Sequence, residues 1–305
     1  MEDNMKAKAG FVVVFSLFML ILLTVSCQKP AEEPGLKAEP KGTIPSADGV
    51  PIHYKLTGQG DMTLVFVHGW CTDMSYWDGQ IPSFRVYYKV VTMDLAGHGR
   101  SGADRSQWTI EAFAQDVKTV VETLDLQKVV LIGHALAGPV VLEAARLLPE
   151  RVIGIVGVES LSDIYLSPYS AEQIESALAP FKEDFAEGLR MYALENYFRS
   201  TASDRLKRRI VFDMVETPAD VGRGALEELM KYDATTALQG LNIPIRTINA
   251  DRPLVYFRVI RKNHEDFTLK FMKNAGHFLM IEDPQGFNRI LADFLGQIIL
   301  ESYQR

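Results

Sequence analysis

Cysteine is nearly absent from this chain. Among 305 residues there are two, Cys27 and Cys71. That excludes a disulfide-stapled scaffold and a paired-cysteine metal site. Histidine is scarce as well: the six residues fall in separate motifs without ligand spacing on one helix, so neither a metal nor a cofactor is expected. An excess of basic residues is missing too. Lys and Arg number 32 against 39 Asp and Glu, a formal net charge of −7, which leaves no basic footprint for nucleic acid. No internal repeat is evident. The most apolar run, residues 11–25, falls short of the about 20 residues that a full membrane span needs.

That run has a reading of its own. Lys6 and Lys8 precede it, and small residues and Cys27 follow, the pattern of an export signal. Leu23-Thr24-Val25-Ser26-Cys27 resembles a loose bacterial lipobox. The resemblance implies cleavage before Cys27 and lipidation of its thiol, hence an exported bacterial lipoprotein anchored at the periplasmic or surface face of a membrane. Gln28 after the cysteine by resemblance favours an outer membrane. A plain secretory signal and an uncleaved anchor remain the alternatives. Residues 1–26 are thus expected to be a signal peptide. Residues 27–42, rich in Pro, Glu, Lys and Ala with little to bury, are expected to be a disordered tether.

Beyond the tether the chain alternates strand-like and helical segments. Strands are expected at 52–56, 63–67, 90–93, 128–132, 152–158, 245–248 and 267–272, and helices at 110–124, 137–148 and 285–302. This alternation predicts an α/β fold with a mainly parallel sheet covered by helices on both faces. It is interrupted at 162–233, where the pattern is helical throughout, with segments at 171–178, 185–198, 205–215 and 224–232. That interval reads as a helical lid inserted into a core formed by 43–161 and 234–305. The lid carries Tyr165, Tyr169, Phe181, Phe185, Met191, Tyr192, Tyr197, Phe198 and Met214. Helical spacing makes most of these core residues, with a few expected to roof an apolar pocket. Arg205, Lys207, Arg208 and Arg209 read as a solvated helix face.

The chemistry-bearing signal is Gly133-His134-Ala135-Leu136-Ala137-Gly138, which follows the β-branched run 128–132. A short buried strand ending in glycine and turning sharply into a helix is a nucleophile elbow, G-x-S-x-G, in every respect but one. Ala135 stands where the serine belongs. The tip sits at a helix N-terminus, where free backbone N–H groups favour negative charge, and the Leu136 N–H is one natural oxyanion donor. The other is expected from His68-Gly69-Trp70-Cys71, after strand 63–67, at the Trp70 N–H. A base and its orienting acid should follow the elbow, acid first. Asp251 lies at the carboxyl end of the strand segment 243–250, and His277 lies in Asn274-Ala275-Gly276-His277-Phe278 after the strand at 267–272. Asp251 is therefore the expected acid, with Glu159, at the end of strand 152–158, as its competitor. His98, in a glycine-rich turn, reads as structural.

Together, His68-Gly69-Trp70, Asp94-Leu95-Ala96-Gly97-His98-Gly99-Arg100-Ser101, the elbow, Asp251 and Gly276-His277-Phe278 resemble the α/β-hydrolase superfamily. Within it the chain resembles lid-bearing bacterial carboxylic-ester hydrolases, from about residue 43 onward. The resemblance implies an α/β-hydrolase fold and a small apolar ester or acyl substrate or ligand. Alanine has no group to attack a carbonyl. Removing the serine of such a triad costs about 10⁶ in kcat, so the chain as written is expected to be an esterase scaffold silenced at one position. The change is either a natural loss or a deliberate exchange that traps substrate. Three other readings stay open: a ligand-binding protein that kept the pocket, general-base chemistry by the His277–Asp251 dyad alone, and a thiol nucleophile at Cys71. No motif supports Ser160 or Ser162 in that role.

Overall fold

The computed structural model of the protein describes residues 41–162, 168–251 and 257–304. The expected signal peptide, Cys27 and the tether up to residue 40, as well as Tyr165, lie outside them. Among the described residues no helix is long and apolar enough to cross a membrane.

Eight strands form one sheet: β1 (Lys41–Pro45), β2 (Pro51–Gly58), β3 (Thr63–Val67), β4 (Lys89–Met93), β5 (Val129–His134), β6 (Val152–Val158), β7 (Ile245–Ala250) and β8 (Phe267–Met272). Their order is β1-β2-β4-β3-β5-β6-β7-β8. The first two pairings, β1 with β2 and β2 with β4, are antiparallel; the remaining pairs are parallel. β3, β5 and β7 are buried along their whole length, because helices cover both faces of the parallel part and leave no solvated side for polar alternation. The expected fold class is the observed one. β1 lay outside the expected strands: Lys41 and Gly42, placed in the tether, pair with Lys55 and Tyr54. Its residues are mostly exposed at the sheet edge, so the segment carries little of the apolar signal by which strands are recognised.

The helices of eight residues or more are α1 (Ile110–Thr123), α2 (Ala137–Leu147), α3 (Ala171–Leu178), α4 (Phe185–Asn196), α5 (Asp204–Val215), α6 (Ala219–Lys231) and α7 (Pro284–Ser302). Local chemistry sets their starts. Thr109, Ser170, Asp184 and Ser203 each cap an N-terminus by accepting a backbone N–H, and Ser170 with Gln173 completes a capping box. α3 to α6 all fall between β6 and β7, as the inserted helical interval required. Phe181, Phe185 and Met214 are buried, whereas Met191 is 53% exposed. The lid's large apolar residues therefore do not all enter its core. Arg205, Arg208 and Arg209 are exposed, in keeping with a solvated face.

Candidate active site

The strand-to-helix junction has the strain that its sequence required. β5 ends at His134, α2 begins at Ala137, and between them Ala135 adopts φ +49°. A residue with a Cβ pays for that left-handed geometry, so the surroundings must hold it. They do so on both sides of the peptide. The Ala135 N–H donates to the Val158 carbonyl at the end of β6 (2.9 Å), and its carbonyl accepts from the Gly138 N–H (3.0 Å) and from the Ser160 hydroxyl (2.7 Å). Ser160 is in turn anchored to β7: its carbonyl accepts from the Thr247 hydroxyl (3.0 Å) and from the Asn249 amide (3.4 Å). Ser160 is thus a buried strut of the elbow.

The loop after β3 closes over the same point. A Cβ built on Gly69 would lie 3.3 Å from the Ala135 Cβ and 2.6 Å from His134 Nδ1. Only glycine fits there, and the Trp70 backbone is brought close to the elbow. The Trp70 and Leu136 N–H groups make no backbone hydrogen bond to another described residue, although Trp70 and Leu136 are 5% and 1% exposed. An N–H in the loop after a strand and another at a helix start are the arrangement of donors that an oxyanion site requires. The Trp70 indole instead donates to the Gly222 carbonyl of α6 (2.7 Å) and meets Phe181, Phe185 and Tyr192 edge to face at 5.6, 6.4 and 6.2 Å. Three of the lid aromatics are thus packed on Trp70 and in part on one another.

His277 stands after β8 in the turn that follows Met272. Its carboxylate partner is Glu159, whose Oε2 lies 3.2 Å from His277 Nδ1. This corrects the expectation that Asp251 orients the ring. Asp251 does directly follow β7, and its N–H donates to the Met272 carbonyl (3.0 Å), but the residue is exposed. Glu159, directly after β6, adopts φ +50° and carries a side chain only 8% exposed. Its Oε1 accepts the Ala250 N–H at the end of β7. That second bond fixes the carboxylate between the two strand ends and points the other oxygen at the histidine. With Nδ1 committed to Glu159, Nε2 is the ring nitrogen left for proton transfer.

Two further contacts hold the histidine, and neither was evident in the motifs. His134 Nε2 donates to the His277 carbonyl (3.0 Å), which gives a purpose to the variable position before the elbow tip. Tyr197, the residue after α4, stacks on the His277 ring at 4.3 Å and 13°.

The remaining sequence candidates are structural. Cys71 is fully buried, and burial pushes its thiol far above the usual range, which removes it as a nucleophile. His98 donates from Nδ1 to the Ala96 carbonyl (2.9 Å) and lies with its ring 5.2 Å from that of His68. His68 accepts the Leu95 N–H at Nε2 (2.9 Å). Burial lowers the two rings to about 3 and about 4 respectively. Asp94 accepts from the Met74 and Arg100 N–H groups (2.8 and 2.9 Å) and so ties the glycine-rich turn together. Among the described residues no cluster of three or more His, Cys, Asp or Glu side chains is placed to hold a metal ion.

Comparison with known proteins bears on the fold. Residues 63–208 match the family model described as alpha/beta hydrolase fold. A non-heme chloroperoxidase of Streptomyces lividans is 26% identical over 273 residues, 83% of this chain and 99% of that protein. A pimeloyl-(acyl-carrier protein) methyl ester esterase of Klebsiella pneumoniae is 31% identical over 201 residues, 63% of this chain and 76% of that protein. Among solved structures, a bromoperoxidase from Bacillus anthracis superposes with a TM-score of 0.75 at 19% identity, covering 84% of this chain and all of that one.

Proposed function

The chain belongs to the α/β-hydrolase fold family, and from that premise we propose that it carries the site of a carboxylic-ester hydrolase with Ala135 in the nucleophile position, so that as written it holds small apolar esters or acids without turning them over through an acyl-enzyme. The observation that carries this reading is the strained elbow: Ala135 keeps φ +49° beside an intact His277–Glu159 pair. A left-handed tip clamped between a strand end and a helix start is the geometry that presents a side chain at a nucleophile elbow. In the hydroxyl-bearing form, the serine oxygen attacks the ester carbonyl. His277 Nε2 takes its proton, Glu159 orients the ring and stabilises its charged form, and the Trp70 and Leu136 N–H groups hold the oxyanion. His277 then returns the proton to the leaving alcohol.

The experiment is ester hydrolysis by the protein as written and as Ala135→Ser, on short and medium p-nitrophenyl acyl chains, with fluorophosphonate labelling. A large gain with labelling at position 135 supports the reading. A folded Ala135→Ser protein without gain refutes it. One observation favours a second reading: the His277–Glu159 pair is complete without any hydroxyl, and such a pair can act alone as a general base. On that reading His277→Ala abolishes an activity that Ala135→Ser does not improve.

The placement of the protein is proposed from its first residues. Export as a bacterial lipoprotein, with Cys27 lipidated and the domain tethered to a membrane, is supported by the apolar run at 11–25 and the Leu23–Cys27 sequence. With β1 starting at Lys41, the tether on this reading ends at residue 40. Globomycin-sensitive processing, or its absence, decides it.

A further inference from the structure

The geometry points to Tyr197, a residue of the lid, as the positioning residue that seats His277, so that the lid and the catalytic histidine move as one body. This rests on the reading of the site given above and adds to it a residue that positions the histidine.

Four contacts converge on the point. The Tyr197 phenol ring lies parallel to the imidazole, 4.3 Å away at 13°. The Tyr197 carbonyl accepts the His277 N–H at 2.9 Å. Both Tyr197 and Phe198 pack on Phe278, with ring centroids 5.6 and 6.1 Å apart. Gly276 lies against the lid without room for a side chain, because a Cβ there would sit 2.8 Å from the Tyr197 carbonyl and 2.6 Å from Glu282 Oε1, while its N–H donates to Glu282 Oε2 (2.8 Å). The turn 274–278 is therefore held on one side by the short helix Leu279–Glu282 and on the other by the lid.

His277 hangs between the lid and the elbow. Its N–H is taken by a lid carbonyl, and its carbonyl is taken by His134, next to Ala135. Both bonds engage the His277 backbone, one to the Tyr197 carbonyl and one from the His134 ring, so their geometry sets where the ring stands relative to position 135. Glu159 sets the rotation of the ring, and Tyr197 covers one of its faces. The lid reaches this arrangement through the aromatic series Trp70, Phe181, Tyr192 and Tyr197, with neighbouring centroids 5.6, 5.7 and 5.5 Å apart. A displacement of α4 therefore removes the ring's cover and its N–H acceptor together. A misplacement of about 1 Å at such a site costs on the order of 10²-fold in rate.

Two measurements test this. In the Ala135→Ser protein, Tyr197→Leu is expected to lower kcat by about 10- to 100-fold with KM within about threefold, and Tyr197→Phe is expected to restore the rate. Should the leucine variant not fold, Tyr197→Met serves as the non-aromatic comparison. A rate insensitive to the leucine or methionine exchange, a change confined to KM, or a phenylalanine variant as slow as the leucine one overturns the proposal. In the protein as written, the His277 ring protons report the stack by NMR. They are expected downfield in Tyr197→Leu, where the ring current is lost, and unmoved in Tyr197→Phe. Unmoved signals in the leucine variant overturn the proposal whatever the activity. Moved signals in a protein that Ala135→Ser leaves inactive support the positioning role and count against the esterase reading instead.

Discussion

Glu159 and His277, 118 positions apart in the chain, meet with Oε2 3.2 Å from Nδ1. The carboxylate that faces the imidazole thus comes from the end of β6, while the end of β7, where Asp251 sits, contributes its backbone: the Ala250 N–H binds the other carboxylate oxygen. Neighbouring parallel strands place both ends within reach of the same turn. The left-handed backbone of Glu159 turns its side chain inward.

This division of labour is testable by exchange. In the Ala135→Ser background, Glu159→Gln keeps the shape but removes the charge that favours the protonated ring, and kcat is expected to fall on the order of 10³- to 10⁴-fold. Asp251→Asn changes an exposed residue and is expected to leave kcat within about twofold. Initial rates on one p-nitrophenyl ester check both. The opposite order of effects would return the acid's role to Asp251.

Much of the molecule was legible before its structure. β3, β6 and β8 run over the expected residues, because each is a compact apolar segment rich in β-branched or aromatic residues. α3 also matches residue for residue, and Ser170 and Gln173 fix its start with a capping box. What escaped was decided by non-local geometry. The exposed edge strand β1 exists through its pairing with β2, which no local pattern reveals. The choice between two carboxylates at adjacent strand ends turned on the φ of Glu159, a quantity the sequence does not carry. Tyr197 was visible only as one lid aromatic among several; its stack on His277 joins residues that no motif links.

A pH dependence of stability follows from the buried pair His68 and His98. Burial lowers His98 to about 3 and His68 to about 4, from an ordinary value of 6.5. Below 6.5 the unfolded chain takes up protons at these positions that the folded protein refuses, so stability is fully present above pH 6.5 and is lost as the pH falls toward the folded values. Each pH unit below the unfolded value costs up to about 1.4 kcal/mol for each ring that stays neutral in the folded protein. Urea denaturation at pH 7, 5.5 and 4 measures it. His98→Asn is expected to flatten that slope, and a slope unchanged in this variant would assign the effect to other groups.

Cys71 offers a direct check on the burial that excludes it from chemistry. With the residue fully enclosed and its thiol pushed far above the ordinary range, the thiolate that alkylation requires is scarce and shielded. Iodoacetamide is expected to leave Cys71 unmodified in the native protein over hours at pH 8 and to modify it within minutes in denaturing urea. Rapid labelling of the folded protein would reopen the thiol as a nucleophile.

The elbow itself makes the last prediction. Ala135 keeps a left-handed backbone at φ +49°, a geometry that costs a residue with a Cβ roughly 1–2 kcal/mol. Glycine adopts it without that cost but loses more chain entropy on folding, about 0.5–1 kcal/mol relative to alanine. The difference favours glycine, by up to about 1.5 kcal/mol, and little packing opposes it, because the side chain removed is a single methyl. Ala135→Gly is therefore expected to be neutral or stabilising in urea denaturation, whereas Ala→Gly in the interior of α2, for example at the buried Ala144, is expected to cost about 1 kcal/mol. If both exchanges destabilise alike, position 135 holds no strain, and the inference that this backbone is shaped to present a side chain falls with it.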